Sequence, residues 1–371
     1  MATQAGIGSK GVFTTSTAKP LISEKSFEYA FILALTWIIA GSYADAWAHG
    51  HIARLETFFT PWHGILYSGY VVSACVMLGT VLINHSRGAK WLAAIPKGYE
   101  LSLLGVIGFF FGGIGDLAWH TLFGIEQNID ALFSPTHLFL MVCFGLMVLG
   151  PYRARYRRRE QPATLKEHFL LAVAFALFLV TVTNFSQSTS PFQTFWPQIS
   201  STGIVAAQST HAGVFVPRTI SSLNDITQLQ AIEGYLLEVV LFTGLTLYTI
   251  RSFRLTFGFF TFVQLAVAIP MSFMGDHYVV ILIGLLAGLL LDVAYYFIRP
   301  ALSQPWRFRL FAAISASTLY FVYMLALLML GGIVWTIHMT VGSIFVTGVV
   351  GWLLSYLILP AQLPEAVEQK G

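Results

Sequence analysis

Ten apolar segments run through almost the whole chain, near 27–47, 63–84, 99–120, 134–151, 167–187, 231–250, 254–275, 278–298, 309–330 and 334–358. Each has about the 20 residues that carry a helix across the hydrocarbon core of a bilayer. None shows the alternation of apolar and polar residues that marks the strands of a membrane barrel. Composition agrees: of 371 residues, 56% are hydrophobic and 10% charged, with a mean hydropathy of +0.72, against about 25% charged in a soluble domain. The expected fold is all-α, a polytopic transmembrane helical bundle of about ten spans.

Basic residues orient such a bundle. Of the 20 Lys and Arg, all but Arg54 and Arg218 fall on the N-terminal tail, the C-terminus, or the loops 85–98, 151–166, 251–254 and 299–309. This asymmetry places both termini in the cytoplasm of a multi-pass protein of the cell membrane, and an even helix count agrees. The run RARYRRR at 153–159 then reads as a cytoplasmic anchor, and the net charge of +3 as a topological signal that implies no nucleic acid. Residues 1–25 are polar and precede a full-length span, so they read as a cytoplasmic tail and not a cleaved leader. Cys75 and Cys143, at mid-membrane depth, read as small packing residues.

Polarity inside the apolar frame is concentrated twice. Residues 45–63 read DAWAHGHIARLETFFTPWH, and residues 116–137 read DLAWHTLFGIEQNIDALFSPTH. In each, Asp and His stand four apart at the end of an outward-running helix, and so share a helix face. In each, a Ser or Thr suited to N-capping is followed by a Pro suited to the first helical position, Thr60-Pro61 and Ser134-Pro135. His63 and His137 then fall in the first turn of the returning helix, where the helix dipole favours neutral imidazole, the metal-binding form.

Two groups of metal ligands result: Asp45, His49 and His63, and Asp116, His120 and His137. Three protein ligands with a position left for water or substrate is how catalytic metal sites are built, and Fe(II), zinc and copper all fit the ligand types. Ionisable groups within spans are costly and tend to be functional. The same set twice, in the same hairpin context, argues against coincidence. Residues 26–151 are accordingly expected to form a four-helix metal-binding unit, and 152–371 a second unit of six helices. The longest loop, 188–230, lies on the extracytoplasmic side with the ligand clusters and is placed to cover the outer helix ends.

The string D-x3-H, an Arg, then F-T-P-x-H resembles the metal-binding helix pair of the C subunit of copper membrane monooxygenases, the particulate methane and ammonia monooxygenase family. DLAWHT and SPTH resemble a downstream segment of the same subunit. The likeness covers residues 40–150. It implies that the two groups correspond to two neighbouring copper sites, that the chain works with other membrane subunits, and that dioxygen and a small apolar substrate are involved. The chain departs from the family pattern in slightly longer spacers between the histidines, in Asp116 where the family carries Asn, and in helices 5–10, which have no counterpart there.

Other polar residues suggest supporting roles. His51 is an alternative first-site ligand, although its spacing puts it off the Asp45 face. Glu56 and Glu126 sit at comparable places in the two linkers, as acceptors for a ligand His or as solvated groups. Arg54 balances the cluster's charge or faces water. Asp276 and His277 form either a supporting pair behind the site or a plain loop. His211 and His338 complete the histidines expected on the outer half, leaving His85 and His168 on the other side, and His338 reads as a packed residue. Glu238 and Asp292 lie inside spans and are candidates for a proton path. Two functions follow: a copper-dependent monooxygenase subunit, or a metal transporter or delivery protein, which would need polar stations continuing across the membrane.

Overall fold

The structure, a computed structural model, describes residues 21–52, 58–124, 132–158, 161–199 and 220–360. Arg54, Glu56, Glu126 and His211 lie outside the described residues, as does most of the N-terminal tail. Among the described residues there are no strands, and ten apolar helices follow one another. They are α1 (Glu24–His51), α2 (Pro61–Ser86), α3 (Glu100–Phe123), α4 (Pro135–Arg158), α5 (Leu165–Phe185), α6 (Ile220–Ser252), α7 (Phe259–Met274), α8 (Val279–Ile298), α9 (Pro305–Leu330) and α10 (Ile337–Ile358).

Among the described residues, nine of these helices are long and apolar enough to cross a membrane; α7, with 16 residues, is shorter. At 1.5 Å per residue it reaches about 24 Å, less than the ~30 Å hydrocarbon core. Its start is set by Gly258, whose φ of 94° suits only glycine well, and its end by the turn at Gly275 and Asp276. Two other boundaries differ from the apolar pattern. Helix α4 passes through Pro151 and ends at Arg158, carrying the basic run about two turns further as helix. Helix α6 begins at Ile220, eleven residues before its apolar stretch, because ISSLNDITQLQ is helical yet too polar to register as a span.

The helices pack as hairpins, α1 on α2, α3 on α4, α7 on α8 and α9 on α10, while α6 lies against α9 and α10. Helix α5 touches α1, α4 and α7 and so joins the first four helices to the rest. Large apolar side chains such as Leu33, Leu82, Phe111, Phe297, Phe345 and Leu357 are exposed. On a soluble protein an apolar surface of this extent would be a liability, and here it is the face that meets lipid. Cys143 is buried against Gly108 as a packing residue, whereas Cys75, expected to pack, is exposed on the outer side of α2.

Apolar surface gains little by moving from lipid to a helix interface, so close packing through small residues carries membrane helix association. Helices α1 and α2 meet at two reciprocal glycines. A Cβ on Gly41 would lie 2.5 Å from the Leu66 Cα, and one on Gly69 would lie 2.6 Å from the Ile38 nitrogen. This backbone-to-backbone contact sits one turn from Asp45 on α1 and one turn from His63 on α2.

The opposite end of the first four helices is closed by ion pairs. Glu28 on α1, almost fully buried, meets Arg155 and Arg158 of α4, each at 2.7 Å. Glu100 on α3 meets Arg153 at 3.0 Å and Arg157 at 2.7 Å. Four arginines of the basic run are therefore structural clamps, a role that the run's bulk charge did not reveal.

Candidate metal centre

Each ligand group rests on the same local device. Thr60 and Pro61 start α2, and the Thr60 hydroxyl accepts the backbone N–H of His63 at 3.1 Å. Pro135 starts α4, and the Ser134 hydroxyl accepts the N–H of His137 at 3.4 Å. The cap fixes the first helical turn, and that turn carries the histidine. On the preceding helices, Asp45 and His49 share a face of α1, and Asp116 and His120 share a face of α3, each four residues apart.

The hairpins bring each set together. One ligand atom from each of Asp45, His49 and His63 lies within 4.8 Å of the others, and the same holds for Asp116, His120 and His137. In the first group, Asp45 lies 3.4 Å from His63 Nε2 and 3.9 Å from His49 Nε2. In the second, Asp116 lies 3.2 Å from His137 Nε2 and 3.5 Å from His120 Nε2. Most of these separations exceed an N–H···O hydrogen bond of about 2.7–3.2 Å. Ligand atoms about 2.0–2.1 Å from a tetrahedral ion would lie about 3.3 Å apart, so the spacing suits an ion between them.

Two further observations fit a metal. The buried Asp45 Oδ1 and both ring nitrogens of His49 have no hydrogen-bond partner, a costly arrangement that coordination would relieve. Tautomers are also set. His63 Nδ1 lies 2.6 Å from the Phe58 carbonyl and His120 Nδ1 lies 3.3 Å from the Gly124 carbonyl. A carbonyl only accepts, so Nδ1 carries a proton, and Nε2 is the nitrogen that faces the carboxylate, the arrangement in which metal-ligating histidines are generally held.

The groups are neighbours. All six residues except His120 line one cavity of about 320 Å³, whose walls include Leu66, Phe109, Leu140 and Phe144 on the apolar side and Asn184 and Gln187 on the polar side. Gln187, just past α5, and Ser188 and Gln193 of the long loop also line this cavity. The two carboxylates differ. Asp116 accepts from the Tyr67 hydroxyl at 3.3 Å and from the Thr136 hydroxyl at 2.9 Å, while the first hairpin has Trp62 in place of Thr136. Tyr67 and Thr136 were not singled out from the sequence, although Thr136 stands inside SPTH and Tyr67 one turn after His63.

The remaining candidates take other places. His51 stacks on Trp47 and pairs with Asp276, Nε2 to Oδ2 at 3.1 Å, at the turn between α7 and α8, apart from the first ligand group. His277 stacks on Phe195 with ring centroids 4.0 Å apart, and burial holds its imidazole below the usual range against the opposing pull of Asp276. His338 is exposed at the start of α10. Asp292 on α8 accepts the backbone N–H of Phe260 at 3.1 Å and of Thr261 at 2.9 Å, plus the Thr261 hydroxyl at 2.6 Å. It caps the start of α7, where Gly258 has no side chain to do so. Glu238 meets the Tyr320 hydroxyl at 3.5 Å beside a cavity of about 50 Å³ between α5, α6, α7 and α9.

Fold and site together define a class: a multi-pass helical membrane protein with two His/Asp groups able to hold a metal ion. Beyond that class, no protein-family model, curated protein or solved structure matches the chain.

Proposed function

We propose that the chain binds transition-metal ions at two Asp/His/His sites sharing one cavity, as a copper-binding subunit of the copper membrane monooxygenase C-subunit type. One observation carries this reading: two three-ligand groups, built on the same capped hairpin, open onto a common cavity with an apolar wall. Copper rests on the likeness of the D-x3-H and P-x-H strings to that family, and the ligand types suit zinc and iron as well. Copper held there supplies redox chemistry toward dioxygen, with a small apolar molecule from the bilayer as the oxidised partner.

The chain's own residues do the rest. Phe58 and Gly124 carbonyls hold the imidazoles of His63 and His120 in one tautomer. Tyr67 and Thr136 hold the Asp116 carboxylate in one orientation. Leu66, Phe109, Leu140 and Phe144 keep one side of the cavity dry and receptive to an apolar guest. The asymmetry of basic residues supports a cavity on the extracytoplasmic side of the cell membrane, with both termini in the cytoplasm. Other membrane subunits belong to the same reading.

A second reading, metal transport or delivery, has one observation in its favour. The Glu238 cavity and the metal cavity are lined by adjacent residues of one segment, Ser186 for the first and Phe185 and Gln187 for the second. The deciding experiment measures metal in the purified protein, in His49→Ala and in His120→Ala. Copper lost one site at a time supports the first reading. Metal uptake into proteoliposomes that is abolished by Glu238→Gln supports the second, and a protein that binds no metal sinks both.

A further inference from the structure

At the end of the bundle away from the two ligand groups, the start of α1, the end of α4, the start of α5 and Phe253 frame a cavity of about 360 Å³, in the size range of small-molecule sites. Its walls carry four cations, Lys25, Arg155, Arg158 and Lys166, and two carboxylates, Glu28 and Glu167. Two positive charges are therefore in excess. Glu28 is committed to Arg155 and Arg158. Glu167 accepts the Ala163 N–H at 3.0 Å and reaches Lys25 only at 3.9 Å. Lys166 has its ammonium over the Tyr29 ring, 4.7 Å from the centroid. Arg155, which lines the cavity, also keeps a buried Nε–H without an acceptor.

We infer that this cavity binds a phosphate group through Lys25, Lys166 and the Arg155–Arg158 pair. Guanidinium and ammonium donors around a solvent-open cleft with surplus positive charge are the chemistry that recognises phosphate oxygens. Two sources carry such a group here: the headgroup of an anionic phospholipid, or soluble phosphate. Leu165 and Phe169 of α5, both exposed beside the cavity's end of the helix, offer apolar surface to acyl chains. A basic pocket between helix ends at a membrane face is the usual seat of an anionic headgroup.

The test uses the full-length protein in phosphatidylcholine nanodiscs with and without phosphatidylglycerol, read by native mass spectrometry of retained lipid. Lys25→Gln and Lys166→Gln leave the Glu28 clamps intact, so folding is preserved. Each is expected to lower phosphatidylglycerol retention roughly fivefold, the factor corresponding to about 1 kcal/mol per basic residue. Lys97→Gln, at the same end but outside the cavity, is expected to have no such effect. In a second arm, inorganic phosphate is added to the phosphatidylcholine nanodiscs and the unfolding midpoint is followed. A midpoint raised in the wild type and not in the double variant, with lipid retention unchanged, identifies soluble phosphate as the source. Loss of retention equal to that of Lys97→Gln, or no difference between wild type and double variant in either arm, overturns the site.

Discussion

His63 and His120 belong to different ligand groups, yet their ring centroids are 6.2 Å apart, and the Phe58 ring packs against both, 4.8 Å from the first and 5.8 Å from the second. The two groups thus adjoin through aromatic contact, and ions held in both would feel each other's charge across a poorly screened interior.

Removing a ligand from one group should leave the other working. His49→Ala is expected to halve the metal content of the purified protein, and so is His120→Ala, with the double variant empty. Elemental analysis of the four proteins decides it. A single variant that loses all its metal would mean that the groups hold one shared ion.

Thr136→Val deletes the hydroxyl that donates to Asp116 and keeps the shape of the side chain. Loss of such a supporting hydrogen bond lowers metal affinity about 10–100-fold. The loss is expected at the second site alone, in a competition titration against a calibrated chelator, while the first site keeps its affinity. Tyr67→Phe should act in the same direction.

Gly41→Val forces a side chain into the Leu66 backbone. Overpacking of this kind costs about 1–3 kcal/mol, and separation of α1 from α2 also pulls His63 away from Asp45. A lower unfolding midpoint together with selective loss of first-site metal is the expected pair of results.

Asp292→Ala distinguishes a cap from a proton path. With the cap lost, about 1–2 kcal/mol of stability goes with it, while metal content stays at the wild-type level. Proton movement in proteoliposomes that depends on Asp292 while stability is unchanged would contradict the capping role.

Glu28→Gln leaves Arg155 and Arg158 buried without their counter-ion. Breaking a buried pair from one side costs about 3–5 kcal/mol, measurable as a shift in denaturant midpoint. Restoring the balance with Arg155→Gln in the same chain should recover part of the loss.

What the sequence discloses here follows from range. Helices came from runs of apolar residues, and the two ligand groups came from spacings of three and four residues together with the Thr60-Pro61 and Ser134-Pro135 caps, all of them local. Partners far along the chain stayed hidden. Glu28 meets arginines well over a hundred residues away, and nothing in the α1 sequence announces that. Asp292 looked like an isolated intramembrane acid because the N–H groups it accepts belong to a different helix. The short α7 read as a span because its flanking apolar residues extend the hydropathy signal past Gly258. Tyr67 was missed since its partner, Asp116, comes from the other hairpin.

The paired glutamate clamps sit at the foot of α1 and α3, while the ligands sit near the other tips of those helices, about 25 Å away at 1.5 Å per residue between Glu28 and Asp45. The arginines of α4 thus rivet α1 and α3 to it at the base, while each ligand group rests on its own capped turn at the far end. Base and tip therefore stand on separate contacts, and a chain stripped of metal is expected to keep its clamps and its helix order.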